Sequence, residues 1–164
     1  MTLMQIIREG SAEDLNKVIM TSPNPRDIIN YRDPACITAL QMAARFNKPW
    51  AVEILLCNGA ECDPVSESSF TPLSTACRLQ HVQIIQILLK YGADPLLDLP
   101  MEGNVLHTIA MYATVEIAEI VFRDIAPPVH SVSTLRLTPL HNAALSGNAG
   151  MVVWLLQHGA NPRA

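Results

Sequence analysis

The 164-residue chain has little charge and few aromatic side chains. Charged residues make up 16% of it and aromatic residues 5%, whereas hydrophobic residues make up 49%. This composition can bury an aliphatic core, and it argues against a chain that is disordered throughout. The formal net charge is -4. A surface of that charge is not suited to neutralising a phosphate backbone, so we expect no nucleic acid partner.

Long apolar runs and secretory features are also missing. The apolar runs fall far short of the about 20 residues that a membrane-spanning helix needs, so we expect no membrane insertion. The first residues do not follow the pattern of a secretory signal peptide, and no N-x-[ST] sequon occurs. Free thiols in a reducing compartment fit the chain better than two disulfides in a secreted protein. We therefore expect an intracellular protein, cytoplasmic or nuclear. The four cysteines, which include no C-x-x-C pair, are Cys36, Cys57, Cys62 and Cys77.

The sequence lacks the short motifs that carry catalysis. There is no H-E-x-x-H, P-loop, G-x-S-x-G or G-x-G-x-x-G. The carboxylates are scattered, and the five histidines are spread along the chain rather than grouped as metal ligands. We therefore expect no catalytic residue, no cofactor and no bound metal, and a protein that is not an enzyme.

An internal repeat is the strongest positive feature of the chain. The segment T-A-L-Q-M-A-A at 38–44 is echoed by T-P-L-S-T-A-C at 71–77 and T-P-L-H-N-A-A at 138–144, with a weaker copy at 104–110. The starts are 33, 33 and 34 residues apart. A second apolar segment repeats in the same register. In three of the copies it ends at a glycine 21 residues after the threonine, and these are Gly59, Gly92 and Gly159.

The repeated residues have the chemistry of helix ends. A threonine hydroxyl caps a helix N-terminus, and proline at the first helical position loses no hydrogen bond. Pro72 and Pro139 occupy that position. A glycine supplies the left-handed residue at which a helix stops. Each repeat is therefore predicted to contain an inner and an outer helix, followed by a connector.

The motif T-P-L-H-x-A-A, the following I/V-L-L run and the final G-A-D or G-A-N together resemble the ankyrin repeat family. The resemblance implies an all-α fold: an ankyrin-repeat solenoid of five helix-turn-helix repeats with hairpin-like fingers. We expect a single domain over residues 1–164. A bundle of unrelated amphipathic helices is the alternative. The five repeats are assigned to 1–37 as an N-terminal cap, 38–70, 71–103, 104–137 and 138–164.

Two of these repeats depart from the others. In the first, Asp14 and Lys17 occupy phases that are apolar in internal repeats, as a polar terminal cap requires. In the fourth, Asn104 replaces the threonine, and Ile125 stands where the stop glycine should be, followed by two prolines. We expect the outer helix of this divergent repeat to end on those prolines.

The histidines are given structural roles. His107 and His141 hold the position at which the family's imidazole bonds to loop backbone, and the resemblance implies that role here. His81 is expected to cap the outer helix of the third repeat.

The resemblance also implies a partner-binding surface, because the concave side of such solenoids commonly grips another protein. Repeat phase places an apolar row with two arginines on that side, which is typical of a protein interface. The alternative is that these side chains pack between neighbouring fingers without a partner. The candidate residues are Ile37, Arg45, Phe46, Phe70, Arg78, Leu79, Met101, Met111, Tyr112, Leu135, Leu137 and Leu145.

The leading functional hypothesis is a non-catalytic protein–protein interaction module that binds a partner peptide or domain on this concave surface. Arg45 and Arg78 would meet acidic or backbone oxygen groups, and the aromatic and leucine side chains would supply apolar area. The second hypothesis is a substrate-recognition or adaptor segment of a larger multidomain protein, such as a ubiquitin-ligase receptor, a channel or a signalling enzyme.

The last repeat ends on an unusually apolar helix, M-V-V-W-L-L at 151–156. Val153 holds a phase at which earlier repeats carry Glu53 and Gln86. We expect this helix to be an edge that further repeats, another domain or a partner covers in the native protein, beyond Ala164. Self-association through Val153 and Trp154 is a weaker alternative.

Overall fold

A computed structural model describes residues 2–164 of the chain, and within them the backbone forms eleven helices. None of these described helices is long and apolar enough to cross a membrane. The helices are α1 (Leu3–Glu9), α2 (Ala12–Thr21), α3 (Pro25–Ile29), α4 (Ala39–Arg45), α5 (Pro49–Cys57), α6 (Pro72–Arg78), α7 (Val82–Lys90), α8 (Val105–Tyr112), α9 (Val115–Val121), α10 (Pro139–Leu145) and α11 (Ala149–Gln157).

Ten of the helices form five pairs that stack in chain order. The inner helices α1, α4, α6, α8 and α10 pack each against the next, and the outer helices α2, α5, α7, α9 and α11 form a second layer. Each pair contacts only its neighbours to a substantial extent, which is the arrangement of a solenoid. The predicted all-α solenoid of five helix pairs is confirmed.

Local capping explains where the inner helices begin. In α4, α6 and α10 the hydroxyl of Thr38, Thr71 or Thr138 accepts a hydrogen bond from the backbone N–H three residues later. Pro72 and Pro139 occupy the first helical position, as predicted. Three outer helices end before a glycine with φ near +88°, and these are Gly59, Gly92 and Gly159.

The fingers between the helix pairs are turns rather than strands. At four successive finger tips, a backbone N–H donates to the carbonyl oxygen four residues later, and at the third tip the reverse bond is also present. Only Leu99 and Gly103 form a bridge of β type, and no strand is present among residues 2–164. The four tips are 33–37, 66–70, 99–103 and 133–137.

The core runs along the stack between the inner and outer layers. Leu40, Leu73 and Leu106 hold the same phase in three repeats and are fully buried. Alanines beside them, such as Ala43 and Ala76, are small enough to let neighbouring helices approach closely. The aliphatic core expected from the composition is therefore built from the repeated positions.

Three details differ from the sequence-based expectation. The connector after α2 contains an additional helix, α3, which begins at Pro25. His81 stands at the N-cap of α7 but makes no capping bond, because its Nδ1 lies 2.9 Å from the carbonyl oxygen of Ala44 in the preceding repeat. The outer helix of the fourth repeat, α9, ends at Val121 and does not extend to Pro127 and Pro128, so those prolines do not terminate it.

Candidate functional site

A groove lies between the second and third repeats, on the side of the inner helices. It has a volume of about 350 Å³ and is open to solvent. Five of the predicted partner-binding residues line it together, drawn from two fingers and two helices. We call it the inter-repeat groove, and it is lined by Ile37, Gln41, Met42, Arg45, Ser66, Ser68, Phe70, Thr75, Arg78 and Leu79.

The base of each finger fixes the position of its apolar groove residue. Ile37 and Phe70 come directly before the N-cap threonines of α4 and α6. The residue before each has a left-handed backbone, with φ 56° at Cys36 and 59° at Ser69. Gln41 then clamps the second finger, because its Nε2 donates to the carbonyl oxygens of Phe70 at 2.8 Å and Pro64 at 3.0 Å. These bonds fix the position of this wall of the groove.

Arg78 lies at the centre of an aromatic and acidic neighbourhood. Its guanidinium carbon is 5.2 Å from the centroid of the Phe70 ring and 4.9 Å from that of Tyr112. Such cation–π contacts at exposed sites contribute about 0.5–1 kcal/mol each. Burial raises the pKa of Glu102, and the positive charge of Arg78 opposes this rise. Arg78 therefore joins the groove to Tyr112 of the fourth repeat.

The two arginines of the groove keep their charge available. The one ion pair among residues 2–164 joins Arg32 to Glu61 at 2.9 Å, in the connectors of the first two repeats. No carboxylate in that part of the chain lies within ion-pair distance of Arg45 or Arg78. The groove thus presents two exposed cations, without an ion-pair partner among residues 2–164, beside an apolar wall.

The remaining candidate residues lie outside the groove. Phe46 is exposed, with Arg8 5.8 Å from its ring centroid, and Leu145 is exposed at the end of α10. Met101 and Leu135 are exposed on adjacent fingers, which are joined by a hydrogen bond from the Thr134 hydroxyl to the Met101 carbonyl. The half-buried members are Met111 and Leu137.

Sequence reasoning missed several residues of the groove. Ser66 and Ser68 belong to a finger whose fold-back cannot be read from helix periodicity, because the connector has no regular period. Met42 and Thr75 point into the groove from α4 and α6 one turn before the arginines. The spacing i, i+3 on one helix face was the signal that could have identified both residues.

The histidines at the T-P-L-H position have the contacts predicted for them. His107 Nε2 lies 3.1 Å from the carbonyl oxygen of Leu137, at the base of the next finger. His141 Nδ1 accepts from the backbone N–H of Thr138 at 3.2 Å. Burial lowers the pKa of His107, while the hydrogen bond with Leu137 acts in the opposite direction.

The cysteines are not arranged for reactivity or for metal binding. All four are free thiols. Burial raises the pKa of the Cys62 thiol to about 11, and full burial raises the pKa of Cys77 still further. Among the described residues no cluster of histidine, cysteine or carboxylate side chains could hold a metal ion.

The two residues predicted for self-association lie in different environments. Val153 is exposed on the outer side of α11. Trp154 is buried instead, because its Nε1 donates to Glu119 Oε1 of the fourth repeat and its ring stacks on His158. Trp154 is therefore unavailable as a contact residue on the surface.

Comparison with protein families gives two matches along the chain. A model described as "Ankyrin repeats (3 copies)" matches residues 3–98, which is more than half of the chain. A model of a single ankyrin repeat matches residues 136–164. Between them lies the stretch that contains the divergent fourth repeat.

Three relatives share similarity with the chain. Ankyrin repeat protein nuc-2 of Neurospora crassa is 29% identical over 155 residues, which is 93% of this chain and 14% of that protein. Serine/threonine-protein kinase 12 of Arabidopsis thaliana is 34% identical over 91 residues, 56% of this chain and 19% of the kinase. Ankyrin repeat domain-containing protein SAT10 of Stachybotrys chartarum is 32% identical over 92 residues, 56% of this chain and 5% of that protein.

The chain spans less than a fifth of the length of each of these relatives. Proteins built on such repeats generally bind other proteins, and the repeats are typically non-catalytic. The matched residues, the helix pairs and their common period agree with one another. The chain belongs to the ankyrin repeat family.

Proposed function

We propose that the chain is a non-catalytic protein-interaction module that captures a partner segment in the inter-repeat groove. The observation that carries this proposal is the meeting of an apolar wall with two arginines that have no ion-pair partner in residues 2–164. An apolar centre with arginine anchors is the composition of binding hot spots in protein interfaces.

The groove suits a peptide segment rather than a broad folded surface. Its volume of about 350 Å³ lies at the small end of the about 300–1,000 Å³ found for pockets that hold small ligands. We infer that one or two apolar side chains of the partner enter between Ile37, Phe70 and Leu79. A carboxylate or a backbone carbonyl of the partner would then accept hydrogen bonds from Arg45 and Arg78.

The surrounding exposed residues extend the contact on both sides. Phe46 with Arg8 lies on the side of the first repeat, and Tyr112 continues the row beyond Arg78. Met101, Met111, Leu135, Leu137 and Leu145 belong to the proposed surface in its wider sense, toward the fourth and fifth repeats. We expect them to contribute less binding energy than the groove, because contacts around a hot spot mainly exclude water.

We further propose that the chain has no catalytic activity of its own and acts in a reducing, intracellular compartment. Its exposed Cys57 remains a free thiol, and its buried Cys77 has a raised pKa that disfavours the reactive thiolate.

A second candidate function is that of an adaptor or substrate-recognition segment in a larger multidomain protein. The observation that favours it is the small share of each relative that the chain spans, between 5% and 19%. In that case the groove would select the target, and a separate part of the protein would act on it. The two functions share the same binding surface.

The proposal is tested with a displayed library of random 12-residue peptides selected on the wild-type chain. Peptides that bind the groove should carry apolar residues beside a carboxylate. The double variant Arg45→Ala/Leu79→Ala should weaken their binding by at least about 30-fold, since hot-spot truncations cost about 2 kcal/mol or more. Dissociation constants from calorimetry or fluorescence anisotropy measure the change.

Leu96→Ala is the matched control, because Leu96 is 48% exposed, Leu79 is 44% exposed, and Leu96 lies outside the groove. It should leave peptide binding unchanged, and Phe46→Ala should weaken binding less than Leu79→Ala does. Circular dichroism would verify that each variant is folded. Selected peptides that lack acidic residues, or that bind the double variant as tightly as the wild type, would contradict the proposal.

A further inference from the structure

Arginine holds one repeat phase in three successive repeats. Arg8, Arg45 and Arg78 lie in the last turns of α1, α4 and α6, and all three are exposed. The single ion pair of the described residues, 2–164, joins other side chains, so none of the three has a carboxylate within ion-pair distance there. We call them the arginine ladder. The ladder stops after the third repeat, because Met111 and Leu145 hold the phase in the next two.

The first and last arginines of the ladder each lie over an aromatic ring of the following repeat. The guanidinium carbon of Arg8 is 5.8 Å from the ring centroid of Phe46, and that of Arg78 is 4.9 Å from the ring centroid of Tyr112. Such contacts hold a guanidinium group near the inner helices. Less side-chain entropy is therefore lost when a partner binds to it.

The middle arginine has no such ring. Leu79 holds the equivalent place for Arg45, and within residues 2–164 no aromatic ring makes a cation–π contact with it. The charge of Arg78, in addition, acts on the half-buried carboxyl of Glu102. Arg45 is thus the ladder residue whose charge the protein itself engages least, and the strongest contact with a partner is expected there.

The ladder has the period of the helix stack. The inner helices α1, α4 and α6 pack each against the next, and packed helices have axes about 8–10 Å apart. A β-strand presents the same face every two residues, over about 6.6 Å. A polyproline II helix presents the same face every three residues, over about 9.3 Å. The second spacing fits the ladder and the first does not.

An apolar row accompanies the ladder. Ile37 and Phe70 come from successive fingers and line the inter-repeat groove together with Arg45 and Arg78. Because a polyproline II helix has three residues per turn, it has three faces. One face can meet the arginines, the second the apolar finger residues and the third the solvent. Segments of this conformation dock in aromatic-lined grooves and lose little entropy when they bind.

We propose that the partner is an acidic segment in the polyproline II conformation, with a carboxylate at every third residue along the arginine ladder. Its three carboxylates accept hydrogen bonds from Arg8, Arg45 and Arg78, one each. Apolar residues between the carboxylates contact Ile37 and Phe70. This inference rests on the function proposed above and specifies the chemistry and spacing of its partner.

Two other occupants fit the same surface less well. A partner helix presents one face every seven residues, over about 10.5 Å, but its diameter of about 10–12 Å is large for a groove of about 350 Å³. A nucleic acid is a long polyanion, and the chain has a formal net charge of -4. The positive stripe is therefore local, and negative charge outside it repels a phosphate backbone.

The first experiment compares three blocked nine-residue peptides of identical composition by fluorescence anisotropy. They are E-P-L-E-P-L-E-P-L, E-P-E-L-E-P-L-P-L and E-E-E-P-L-P-L-P-L, with glutamate at every third, every second and every position of its run. The first should bind about tenfold more tightly than the other two, because each further exposed carboxylate that finds an arginine gains about 2–5-fold.

Equal affinities of the three peptides would overturn the spacing and leave the proposed function standing, since that function requires only apolar residues beside one carboxylate. Absence of binding by all three at about 1 mM would also overturn the inference. The proposed function would then be decided separately by the peptides selected from the random library.

The second experiment pairs each arginine with its glutamate. Arg8→Gln, Arg45→Gln and Arg78→Gln should each weaken binding of the first peptide about 2–5-fold. Arg45→Gln should have almost no further effect when the middle glutamate of the peptide is already glutamine. The other two arginines should couple in the same way to the two terminal glutamates, one to each. Equal coupling of every arginine to every glutamate would overturn the ordered ladder.

Arg123→Gln is the matched control, because it removes the same charge from an exposed arginine that follows the outer helix α9. It should leave peptide binding unchanged, and circular dichroism would verify the fold of each variant. A loss equal to that of Arg45→Gln would show non-specific attraction and overturn the proposal. So would tighter binding of a helical peptide with glutamates seven residues apart, or of a single-stranded oligothymidylate.

Discussion

The third and fourth repeats build the same helix pair from different local signals. In the third, Thr71 and Ser74 form a reciprocal capping box at the start of α6, and α7 ends before Gly92 with φ 89°. In the fourth, Asn104 caps α8, and its Nδ2 donates to the Ser131 hydroxyl in the next finger. Its outer helix α9 has 7 residues instead of 9 and ends without a glycine.

The difference shows that cap residues are replaceable and that the apolar phases are not. Leu73 and Leu106 are both fully buried at equivalent positions, and so are Cys77 and Ala110. The fourth repeat has a weaker local cap and accepts bonds from the following repeat, such as the one that Asn142 Nδ2 donates to the carbonyl oxygen of His107. We infer that its stability depends more strongly on its neighbour than that of the third repeat.

The largest effects are expected from the shared core positions. Leu73→Ala and Leu106→Ala should each lower the free energy of unfolding by about 2–5 kcal/mol, because each leaves a cavity at a fully buried site. Urea unfolding followed by circular dichroism measures the loss. If either change lowers the free energy of unfolding by less than about 1 kcal/mol, the buried leucines do not stabilise the two repeats equally.

Glycine substitution should separate the finger that contacts the fourth repeat from the helix end of the third repeat. Gly103 has φ +74°, and a Cβ placed on it would lie 2.6 Å from His107 Nδ1. Gly103→Ala should therefore cost about 2–3 kcal/mol, since it adds displacement of His107 to the strain of a left-handed residue. Gly92→Ala, at φ +89° with no atom near the added methyl group, should cost only about 1–2 kcal/mol from backbone strain. Equal losses in thermal or urea unfolding would argue against the role given to His107.

Thiol labelling should compare local opening of the two repeats. Cys77 is a buried reporter in the third repeat, and Ala110→Cys places a thiol at the equivalent position of the fourth. Each thiol is read in a chain whose other cysteines are replaced by serine or alanine. We expect the thiol at position 110 to react about tenfold faster under native conditions, a difference of about 1.4 kcal/mol in opening free energy. Faster labelling of Cys77 would reverse the comparison.

The smallest effect is a pH dependence confined to the fourth repeat. Burial lowers the pKa of His107 below its ordinary value of 6.5 in the folded chain. Protonation therefore favours the unfolded chain. This contribution to stability is fully present above the unfolded-state pKa and is lost as the pH falls below it.

His107→Gln should remove that dependence and retain the bond to Leu137, because Gln41 makes the equivalent bond to Phe70 in the second repeat. The measurement is the difference in unfolding free energy between pH 7.5 and pH 5.5, in the variant and in the wild type. We expect the wild-type difference to exceed that of the variant by about 1 kcal/mol or less. An unchanged difference would show that other groups cause the wild-type pH dependence.

The fold was predictable because its determinants are local and repeated. The starts of three inner helices are predicted by Thr38, Thr71 and Thr138. The ends of three outer helices are predicted by Gly59, Gly92 and Gly159. Helix α3 was not predicted, because its five residues show no full period. The prediction that His81 caps α7 was wrong. Its partner, the carbonyl oxygen of Ala44, belongs to another repeat and cannot be inferred from local spacing.

The candidate site was predictable only in part. Phase identified Arg45, Phe70, Arg78 and Leu79, since phase determines which side of a helix or finger a residue faces. It could not show that a groove forms between the second and third repeats, because the path of the finger containing Ser66 and Ser68 depends on contacts such as that of Gln41. Whether the whole row binds a partner stays a prediction.

Buried repeat positions stabilise the fold and exposed positions contribute little to it, and this separation has an evolutionary consequence. One phase near the end of the inner helices is occupied by Arg45, Arg78, Met111 and Leu145. Met111 is half-buried, and the other three are exposed and contribute little to the core. Substitutions at such exposed positions typically change stability by less than about 0.5 kcal/mol. A lineage can therefore vary the proposed binding surface through these few codons while the scaffold remains under unchanged selection.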